Sequence, residues 1–263
     1  MSSVQSVPIS AQPIKGKVLV VLSSEDHITL ANNKDQPTGF FLPELVKPVI
    51  KLLDAGYAPV FANPKGNAPS ADPLSESLPV FLFNFLERNR EQAFVEKLKN
   101  EARLSQPFKL ADITDADLET FKGILIPGGH APMQDLHDDK DLGRILKHFH
   151  DRSKPTGTLC HGPIALLSTR TVGPFLYAGY KVSCYSDREE SMNEVMFRSA
   201  LKFKVQSELE KAGAIVEVNP IPMGTKVVID KEVVSAQGFT SAQEFGEKLA
   251  EAVVKYDATA PRI

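Results

Sequence analysis

Short apolar runs of strand length alternate with amphipathic helical segments along most of this chain. The first run, KVLVVLS at residues 17–23, is almost entirely apolar, as expected for a strand buried on both faces of a parallel sheet. A helical pattern at residues 40–56 follows it, and the run YAPVFAN at residues 57–63 completes a βαβ unit. This alternation predicts an α/β sandwich with a mostly parallel central sheet and right-handed connections.

The alternation resumes in the second half of the chain. The strand-like runs there are GILIPGG at residues 123–129, TGTLC at 156–160, YKVSCYS at 180–186, IVEVN at 215–219 and a hairpin, KVVIDKEVVSA, at 226–236. Two helical patterns accompany them, a long one at residues 193–213 and an amphipathic one at residues 240–256. We therefore expect the same sheet to continue through this half.

Residues 64–106 interrupt the alternation of strands and helices, with a loop-like composition followed by a helical segment. We predict an insertion at about 64–106, packed on the sheet edge or over the site. Its Phe81, Phe83 and Phe85 are interpreted as buried, with an exposed partner-binding surface as the alternative. The predicted organisation is a flexible N-terminal tail at residues 1–15 and a single α/β domain at residues 16–263.

Composition limits the class of partner. The net charge of −3 over 263 residues gives no electrostatic reason to expect nucleic acid or an anionic membrane as a partner. No apolar run approaches the ~20 residues of a membrane span, and the N-terminus does not resemble a secretory signal. Two cysteines are too few for a disulfide framework or a four-ligand zinc site. We expect a cytoplasmic protein, in which a cysteine beside a histidine is a candidate nucleophile.

The stretch PTGTLCHGP places Cys160 where a strand ends and a helical segment begins. A side chain there leaves the sheet edge and lies over the helix N-terminus, where backbone N–H groups favour an anion. We therefore expect a lowered pKa for the Cys160 thiol and a reactive thiolate. A structural cysteine has no need of the charged and flexible neighbours in His161-Gly162-Pro163. Cys184, inside an apolar run, is interpreted as structural.

Two glycines, Gly128 and Gly129, follow another strand-like run. Because ligands bind beyond the carboxyl ends of parallel strands, this turn and Cys160 should lie at the same edge of the sheet. Glycines leave backbone N–H groups free to approach a ligand, as an oxyanion hole requires. If Cys160 attacks a carbonyl, the N–H groups of Gly129 and His161 are the expected oxyanion donors.

His161 is the candidate base for the thiol, and a carboxylate should orient its ring. Three acidic residues follow the next strand-like run: Asp187, Glu189 and Glu190. Glu189 stands three residues after Ser186, which is the spacing of a capping box at a helix start. Glu190 has no such role and is therefore the preferred partner of His161, with Asp187 second.

The histidines argue against other chemistries. All six lie at or before residue 161, which disfavours a cysteine protease or glutaminase whose base follows the nucleophile along the chain. His137, His148 and His150 are a possible metal cluster, but the last two are two residues apart on a helical pattern and point apart. GGHAPM has the wrong spacing for a dinucleotide fingerprint. We therefore expect neither a metal nor an organic cofactor.

The strand-ending PGGH, the turn CHGP and the early TGFFLPELVKP together resemble the ThiJ/PfpI superfamily, which has the class I glutamine amidotransferase-like fold. The resemblance runs from about residue 17 to residue 256. It is closest to the branch of the stress-induced chaperones and the glutathione-independent glyoxalases (glyoxalase III), since PFKLADI after a helical insertion is similar to that branch. It implies a flavodoxin-like three-layer sandwich.

The resemblance also implies site residues. A catalytic cysteine falls on Cys160, its histidine on His161, and an acidic third member after the next strand on Glu190. A carboxylic acid of the first helix that touches the thiol falls on Glu44, which spacing alone does not single out. Some bacterial relatives bind a metal through a histidine shortly before this glutamate, where this chain has Gly39-Phe40, so that metal site is not expected.

The function that the resemblance implies is stress-protective conversion of 2-oxoaldehydes such as methylglyoxal to 2-hydroxy acids such as lactate, a lyase activity of the D-lactate dehydratase type. Cys160 would form a hemithioacetal, and His161 or Glu44 would relay a proton through an enediol. A holdase chaperone that binds unfolded clients through apolar surface at residues 80–85 is an alternative. A protein deglycase, or an amidase or peptidase, using the same thiol is another. Relatives are often dimers, so a homodimer is expected.

Overall fold

The computed structural model describes residues 13–259, so residues 1–12 of the expected tail lie outside the described residues. The strands are β1 (Gly16–Val21), β2 (His27–Thr29), β3 (Asp35–Pro37), β4 (Tyr57–Asn63), β5 (Phe108–Lys109), β6 (Phe121–Ile126), β7 (Thr156–Leu159), β8 (Lys181–Val182), β9 (Ile215–Val216), β10 (Val227–Asp230) and β11 (Val233–Ala236). The α-helices are α1 (Leu42–Asp54), α2 (Phe85–Glu101), α3 (Asp115–Thr120), α4 (Pro132–Asp135), α5 (Lys140–Asp151), α6 (Asp187–Phe197), α7 (Val205–Ala212) and α8 (Ala242–Thr259). Short 3₁₀ helices span Pro73–Glu76, Leu78–Phe81, Leu110–Asp112, Gly162–Thr171 and Phe239–Ser241.

Seven strands form the central sheet, in the order β10-β11-β7-β6-β1-β4-β5. Strand β10 is antiparallel to β11, with which it forms the expected hairpin, and the other neighbours are parallel. The α/β fold with a mostly parallel sheet is therefore confirmed. Strands β6 and β7 are direct neighbours, so the chain segments that follow them leave the sheet side by side.

The first strand shows why its sequence is a continuous apolar run. Val18 and Val20 face one core cluster, which α1, α2 and α8 cover. Leu19 and Val21 face a second cluster, covered by α5, α7 and the 3₁₀ helix at Gly162–Thr171. Because both faces of the sheet are covered by helices, no position of the strand's centre meets water. The result is a three-layer sandwich.

The run at residues 180–186 is expected to form a strand of the central sheet, and this expectation is wrong. Only β8 forms there, and it pairs with β9 in a separate two-stranded sheet. The edges of β11 are already occupied by β7 and β10, so the segment finds no free edge there. It contacts β11 instead through the Ser183 N–H, which donates to the Ser235 hydroxyl at 2.8 Å.

The expectation of a single long helix at residues 193–213 is also wrong. Helix α6 ends where Arg198 adopts a left-handed conformation with φ 55°, and α7 begins only at Val205. The chain turns here and buries Leu201, whose N–H donates to the Glu194 carboxylate at 3.0 Å. This tertiary contact overrides the local helical pattern.

The segment at residues 64–106 consists of loop, two 3₁₀ turns and α2. Its Val95 and Leu98 pack into the core cluster beside α1. Phe81 is buried as expected, but Phe83 and Phe85 are 71% and 56% exposed, so the expectation of burial is wrong for these two. None of the helices within residues 13–259 combines the length and the apolar character needed to cross a membrane.

Replacing a core phenylalanine tests this layer arrangement. Phe149 of α5 is fully buried, so Phe149→Ala should lower the free energy of unfolding by about 3–5 kcal/mol, through lost burial and an unfilled cavity. Urea unfolding followed by circular dichroism measures the change. Phe85→Ala removes the same ring from a half-exposed position and should cost less than about 1 kcal/mol. Equal losses in the two variants would contradict the assignment of this core.

Candidate active site

The two turns singled out in the sequence meet at one end of the sheet. Gly128 and Gly129 follow β6, and Cys160 follows the neighbouring β7. A cavity of about 750 Å³ opens over them. Four residues expected at the site line this cavity: Cys160, His161, Glu44 and Gly129. Cys184 does not line it. The site residues expected from the sequence are thus drawn together from α1 and two strand ends, with Glu190 arriving from α6.

Cys160 has an unusual backbone conformation. Its φ of 61° lies in the left-handed region, which costs a non-glycine residue about 1–3 kcal/mol. Two backbone hydrogen bonds hold it there: the Cys160 N–H donates to Ala236 O, and the Tyr185 N–H donates to Cys160 O, each at 2.9 Å. The sharp turn between strand and helix turns the thiol toward the cavity, as nucleophile turns of α/β enzymes do.

The glycine turn leaves no room for side chains. A Cβ at Gly128 would lie 2.6 Å from both the Cys160 Cβ and the Glu44 Oε2. Gly129 has a φ of 92°, and a Cβ there would lie 2.0 Å from Gly39 O. The Gly129 N–H acts to lower the pKa of the Cys160 thiol, and the Gly128 N–H donates to Glu44 Oε2 at 3.1 Å. The turn therefore places backbone N–H groups beside the thiol and the acid, while the oxyanion role of Gly129 and His161 stays a prediction.

His161 links the thiol to a buried carboxylate. Its Nδ1 lies 3.1 Å from the Cys160 sulfur, and its Nε2 lies 2.7 Å from Glu190 Oε2. Nε2–H donates to the carboxylate, which leaves Nδ1 as the acceptor that faces the thiol. The Tyr185 ring lies against the imidazole, with 4.6 Å between ring centroids. The arrangement is that of a nucleophile, a base and an orienting carboxylate.

The three candidate carboxylates have separate positions. Glu190 is the one that contacts His161. Glu189 forms the expected capping box with Ser186 and also accepts from the Gln237 amide at 2.7 Å. The Asp187 carboxylate accepts a hydrogen bond from the Ser207 hydroxyl.

His130 is a site residue that the sequence reasoning missed. Its Nε2 lies 2.8 Å from Glu190 Oε1, so one carboxylate bridges two imidazoles whose ring centroids are 4.0 Å apart. The Asn193 amide also donates to Glu190 Oε1, at 3.2 Å. A signal was present, since His130 directly follows the glycine pair at a strand end just as His161 directly follows the cysteine.

The charges of this cluster are distributed unevenly. Burial alone would raise the pKa of Glu190, but the two histidines outweigh it and hold that pKa well below its usual range. Burial and the neighbouring His130 lower the pKa of His161, against the opposing pull of Glu190. Burial opposes the charged form of His130, yet Glu190 raises its pKa. These shifts favour an ionised Glu190, a protonated His130 and a neutral His161 that can accept a proton.

Glu44 carries the second proton of the site. It is fully buried in the first turn of α1, and burial raises its pKa to about 8. The neighbouring Cys160 thiol and the Gly128 N–H oppose that rise. Oε2 accepts from the Gly128 N–H, whereas Oε1 has no hydrogen-bond partner among residues 13–259. At neutral pH Glu44 is thus mainly a neutral acid that lines the cavity and can donate a proton to a ligand oxygen.

The expected lowering of the Cys160 pKa is wrong. Burial raises the pKa of this thiol well above its usual range, and the negative charge of an ionised Glu44 raises it further. The segment after the turn is also a 3₁₀ helix, Gly162–Thr171, rather than the expected α-helix. Burial outweighs what the Gly129 N–H contributes to the thiolate. The resting nucleophile is therefore a neutral thiol whose proton His161 must accept.

The structure also bears on the histidines considered as metal ligands. His137, His148 and His150 do not form a ligand cluster: their nearest carboxylates are Asp138, Glu119 and Glu232, respectively. Within residues 13–259, the one group with atoms close enough to hold a metal ion is His130, His161 and Glu190, within 4.8 Å of one another. Both imidazole Nε2 atoms of that group already pair with the carboxylate.

Comparison with known proteins places this geometry in context. Residues 91–252 match the DJ-1/PfpI family. The protein/nucleic acid deglycase HchA of Staphylococcus aureus is 29% identical over 243 residues, which cover 89% of this chain and 78% of the relative.

Two solved structures share the fold. The Rapid Encystment Protein of 24 kDa from Francisella tularensis has a TM-score of 0.75 at 21% identity, covering 90% of this chain and 99% of its own. Glyoxalase III from Candida albicans has a TM-score of 0.71 at 21% identity, covering 90% of this chain and 97% of its own. At these identities the likeness concerns the fold.

Glu44→Gln tests the electrostatic coupling of acid and thiol. An amide cannot ionise, so the variant removes a negative charge that opposes the thiolate, and the pKa of Cys160 should fall. The pH dependence of iodoacetamide alkylation, followed on the Cys160 peptide by mass spectrometry, measures the midpoint. Glu91→Gln is a matched control, since Glu91 is a buried carboxyl with a pKa raised to about 7 that does not line the cavity. A midpoint that is unchanged or higher in Glu44→Gln would contradict the coupling.

Proposed function

This chain belongs to the DJ-1/PfpI family, and we propose that it is a cysteine-dependent, glutathione-independent glyoxalase of the glyoxalase III type. It converts 2-oxoaldehydes such as methylglyoxal into 2-hydroxy acids such as lactate. One observation carries the proposal: a neutral base, His161, and a neutral acid, Glu44, both lie beside the Cys160 thiol. Rearranging a 2-oxoaldehyde needs one group that accepts a proton while another donates one.

The first step joins the sulfur to the aldehyde carbon. As the Cys160 sulfur attacks, its proton passes to His161 Nδ1, 3.1 Å away. The aldehyde oxygen takes the proton of Glu44, which faces the cavity beside the thiol. The product is a hemithioacetal, with Glu44 now a carboxylate and His161 an imidazolium. The imidazolium forms beside the Glu190 carboxylate, and the Glu44 carboxylate forms beside the Gly128 N–H, so both charges have partners already in place.

The second step moves hydrogen from the aldehyde carbon to the ketone carbon. The Glu44 carboxylate removes the C1 proton while His161 protonates the C2 oxygen, which gives an enediol. Glu44 then protonates C2, and the C1 hydroxyl returns its proton to His161, leaving a thioester. Water cleaves the C–S bond and restores the thiol and both neutral proton carriers. C1 is oxidised and C2 is reduced, so no external redox partner is needed.

Glu190 and His130 act as positioning residues in this scheme. Glu190 holds the His161 tautomer that presents Nδ1 to the sulfur, and its charge stabilises the imidazolium formed during attack. His130 shares the carboxylate and, by its positive charge, keeps the resting His161 neutral. The pair therefore sets both the orientation and the protonation state of the base.

A protein deglycase is the second candidate, favoured by the deglycase activity for which the Staphylococcus aureus relative is named. An adduct between a 2-oxoaldehyde and a protein amine or thiol contains the same two carbons, so the same thiol and proton carriers can act on it. The two functions differ in the species that enters the cavity. A glyoxalase consumes the free aldehyde, and its rate falls when excess N-acetylcysteine sequesters methylglyoxal as an adduct. A deglycase rate follows the adduct concentration instead.

Removing the nucleophile tests both candidates at once. Cys160→Ala should lower lactate formation from methylglyoxal by at least about 10³-fold, because no covalent intermediate can form. Lactate is measured enzymatically against a protein-free blank. Cys184→Ala is the matched control, since this cysteine is equally buried but does not line the cavity, and its activity should be retained. Undiminished lactate formation by Cys160→Ala would contradict the mechanism.

The pH profile tests which protonation states are active. As pH rises through about 8, Glu44 loses its proton and kcat/KM should fall. As pH falls, kcat/KM should be lost only below the ordinary histidine range, because the pKa of His161 is lowered. The measurement is kcat/KM for methylglyoxal from pH 5 to pH 9.5, with the Cys160→Ala rate subtracted at each pH. A rate that keeps rising above pH 9 would instead identify a preformed thiolate as the active species.

A further inference from the structure

The cavity over Cys160 is much larger than methylglyoxal requires. Cavities of about 300–1,000 Å³ commonly hold drug-sized ligands, and this one measures about 750 Å³. A three-carbon aldehyde bound at the thiol would leave most of that volume unused. The unused volume therefore indicates that the substrate carries a larger group than a methyl, an inference that rests on the proposed function.

The chemically reactive groups of the cavity form one cluster: Cys160, Glu44, Gly129 and the histidines lie together in the contacts described above. The rest of the lining is mostly apolar and includes Val80, Met196, Phe197, Met223 and a pair of phenyl rings. That pair is Phe41 and Phe239, whose centroids are 5.4 Å apart.

The charge of the lining is one-sided. No lysine or arginine of residues 13–259 lines the cavity. The acidic side chains Asp72 and Glu189 do line it, and Asp72 accepts a hydrogen bond from the Thr38 hydroxyl at 2.6 Å. His130 is the lining residue whose raised pKa favours a cation, and it already pairs with Glu190. A ligand carboxylate or phosphate would therefore lose its hydration there without gaining an unpaired cationic partner. The lining therefore favours an uncharged ligand over an anionic one.

We propose that the preferred substrates are 2-oxoaldehydes with a bulky, uncharged, apolar substituent on the ketone carbon. The two carbonyl carbons lie at Cys160, and the substituent packs against the apolar lining that includes Phe41, Phe239 and Val80. Binding energy gained by the substituent orients the reacting carbons. The bonds made and broken are those of the proposed reaction: phenylglyoxal and one water give mandelate, with C1 oxidised and C2 reduced.

Four probes separate the contributions of size, aromaticity and charge. They are methylglyoxal, cyclohexylglyoxal, phenylglyoxal and 4-carboxyphenylglyoxal, compared by kcat/KM with the wild-type protein and with 2-hydroxy acid formation as the readout. One additional methylene in an apolar pocket changes kcat/KM by roughly 10–200-fold, so both uncharged bulky probes should exceed methylglyoxal by at least about tenfold. 4-Carboxyphenylglyoxal, which has the same ring and an added negative charge, should fall at least about tenfold below phenylglyoxal.

A pair of phenylalanine variants tests the location. Phe239→Ala opens the apolar wall and should reduce the ratio of kcat/KM for phenylglyoxal to that for methylglyoxal by at least about tenfold, within the range for lost apolar contact. Phe85→Ala removes a ring that does not line the cavity and should leave this ratio unchanged. Circular dichroism shows whether each variant is folded, and Phe41→Ala is the second test of the same wall should Phe239→Ala not fold.

The outcomes distinguish the preference for bulky substrates from the glyoxalase activity itself. Turnover of methylglyoxal without a preference for the bulky uncharged probes would overturn the substrate class and leave the glyoxalase proposal standing. Absence of 2-hydroxy acid from all four probes would overturn both. A preference that survives the loss of the Phe41 and Phe239 rings would overturn the assignment of the apolar wall. The predicted order of probes, lost in the wall variants and kept in Phe85→Ala, supports the proposal.

Discussion

The Glu190 carboxylate is the group on which the rest of the site depends. It is almost fully buried, and an uncompensated charge in that position costs several kcal/mol. Two imidazoles and the Asn193 amide compensate it, and the imidazoles come from the ends of two neighbouring strands. The charge is therefore balanced only when the sheet and α6 have assembled. The same contact that makes burial of Glu190 tolerable also orients His161 and keeps its Nδ1 free for the thiol.

Much of the fold could be predicted from local pattern. The apolar run of β1 and the limits of β4 follow from the alternation of strands and helices, because both faces of the sheet must be covered. The position of Cys160 at a strand end could be predicted for the same reason. Parallel neighbouring strands then place it beside the Gly128-Gly129 turn. Preferring Glu190 over Glu189 required only the capping-box spacing of Ser186.

The parts that could not be predicted depend on contacts between distant segments. Glu44 reaches the thiol from α1, which only the family resemblance suggested, and no spacing rule connects the two. The direction of the Cys160 pKa followed from a local argument about a helix N-terminus, whereas burial by the surrounding segments decides it. His130 acquires its role only because α6 brings Glu190 between two histidines. The strand expected at residues 180–186 does not join the sheet beside β11 because β7 and β10 already pair with that strand, which no local pattern reveals.

The left-handed backbone of Cys160 has a consequence for how such a protein can change over generations. A glycine would adopt this conformation without strain, and the chain would lose its nucleophile in relieving that strain. Selection against backbone strain alone would therefore act against the cysteine, and selection for activity retains it. In descendants that no longer use the thiol, we expect substitutions at this turn to accumulate first, because they relieve backbone strain and no longer cost any activity.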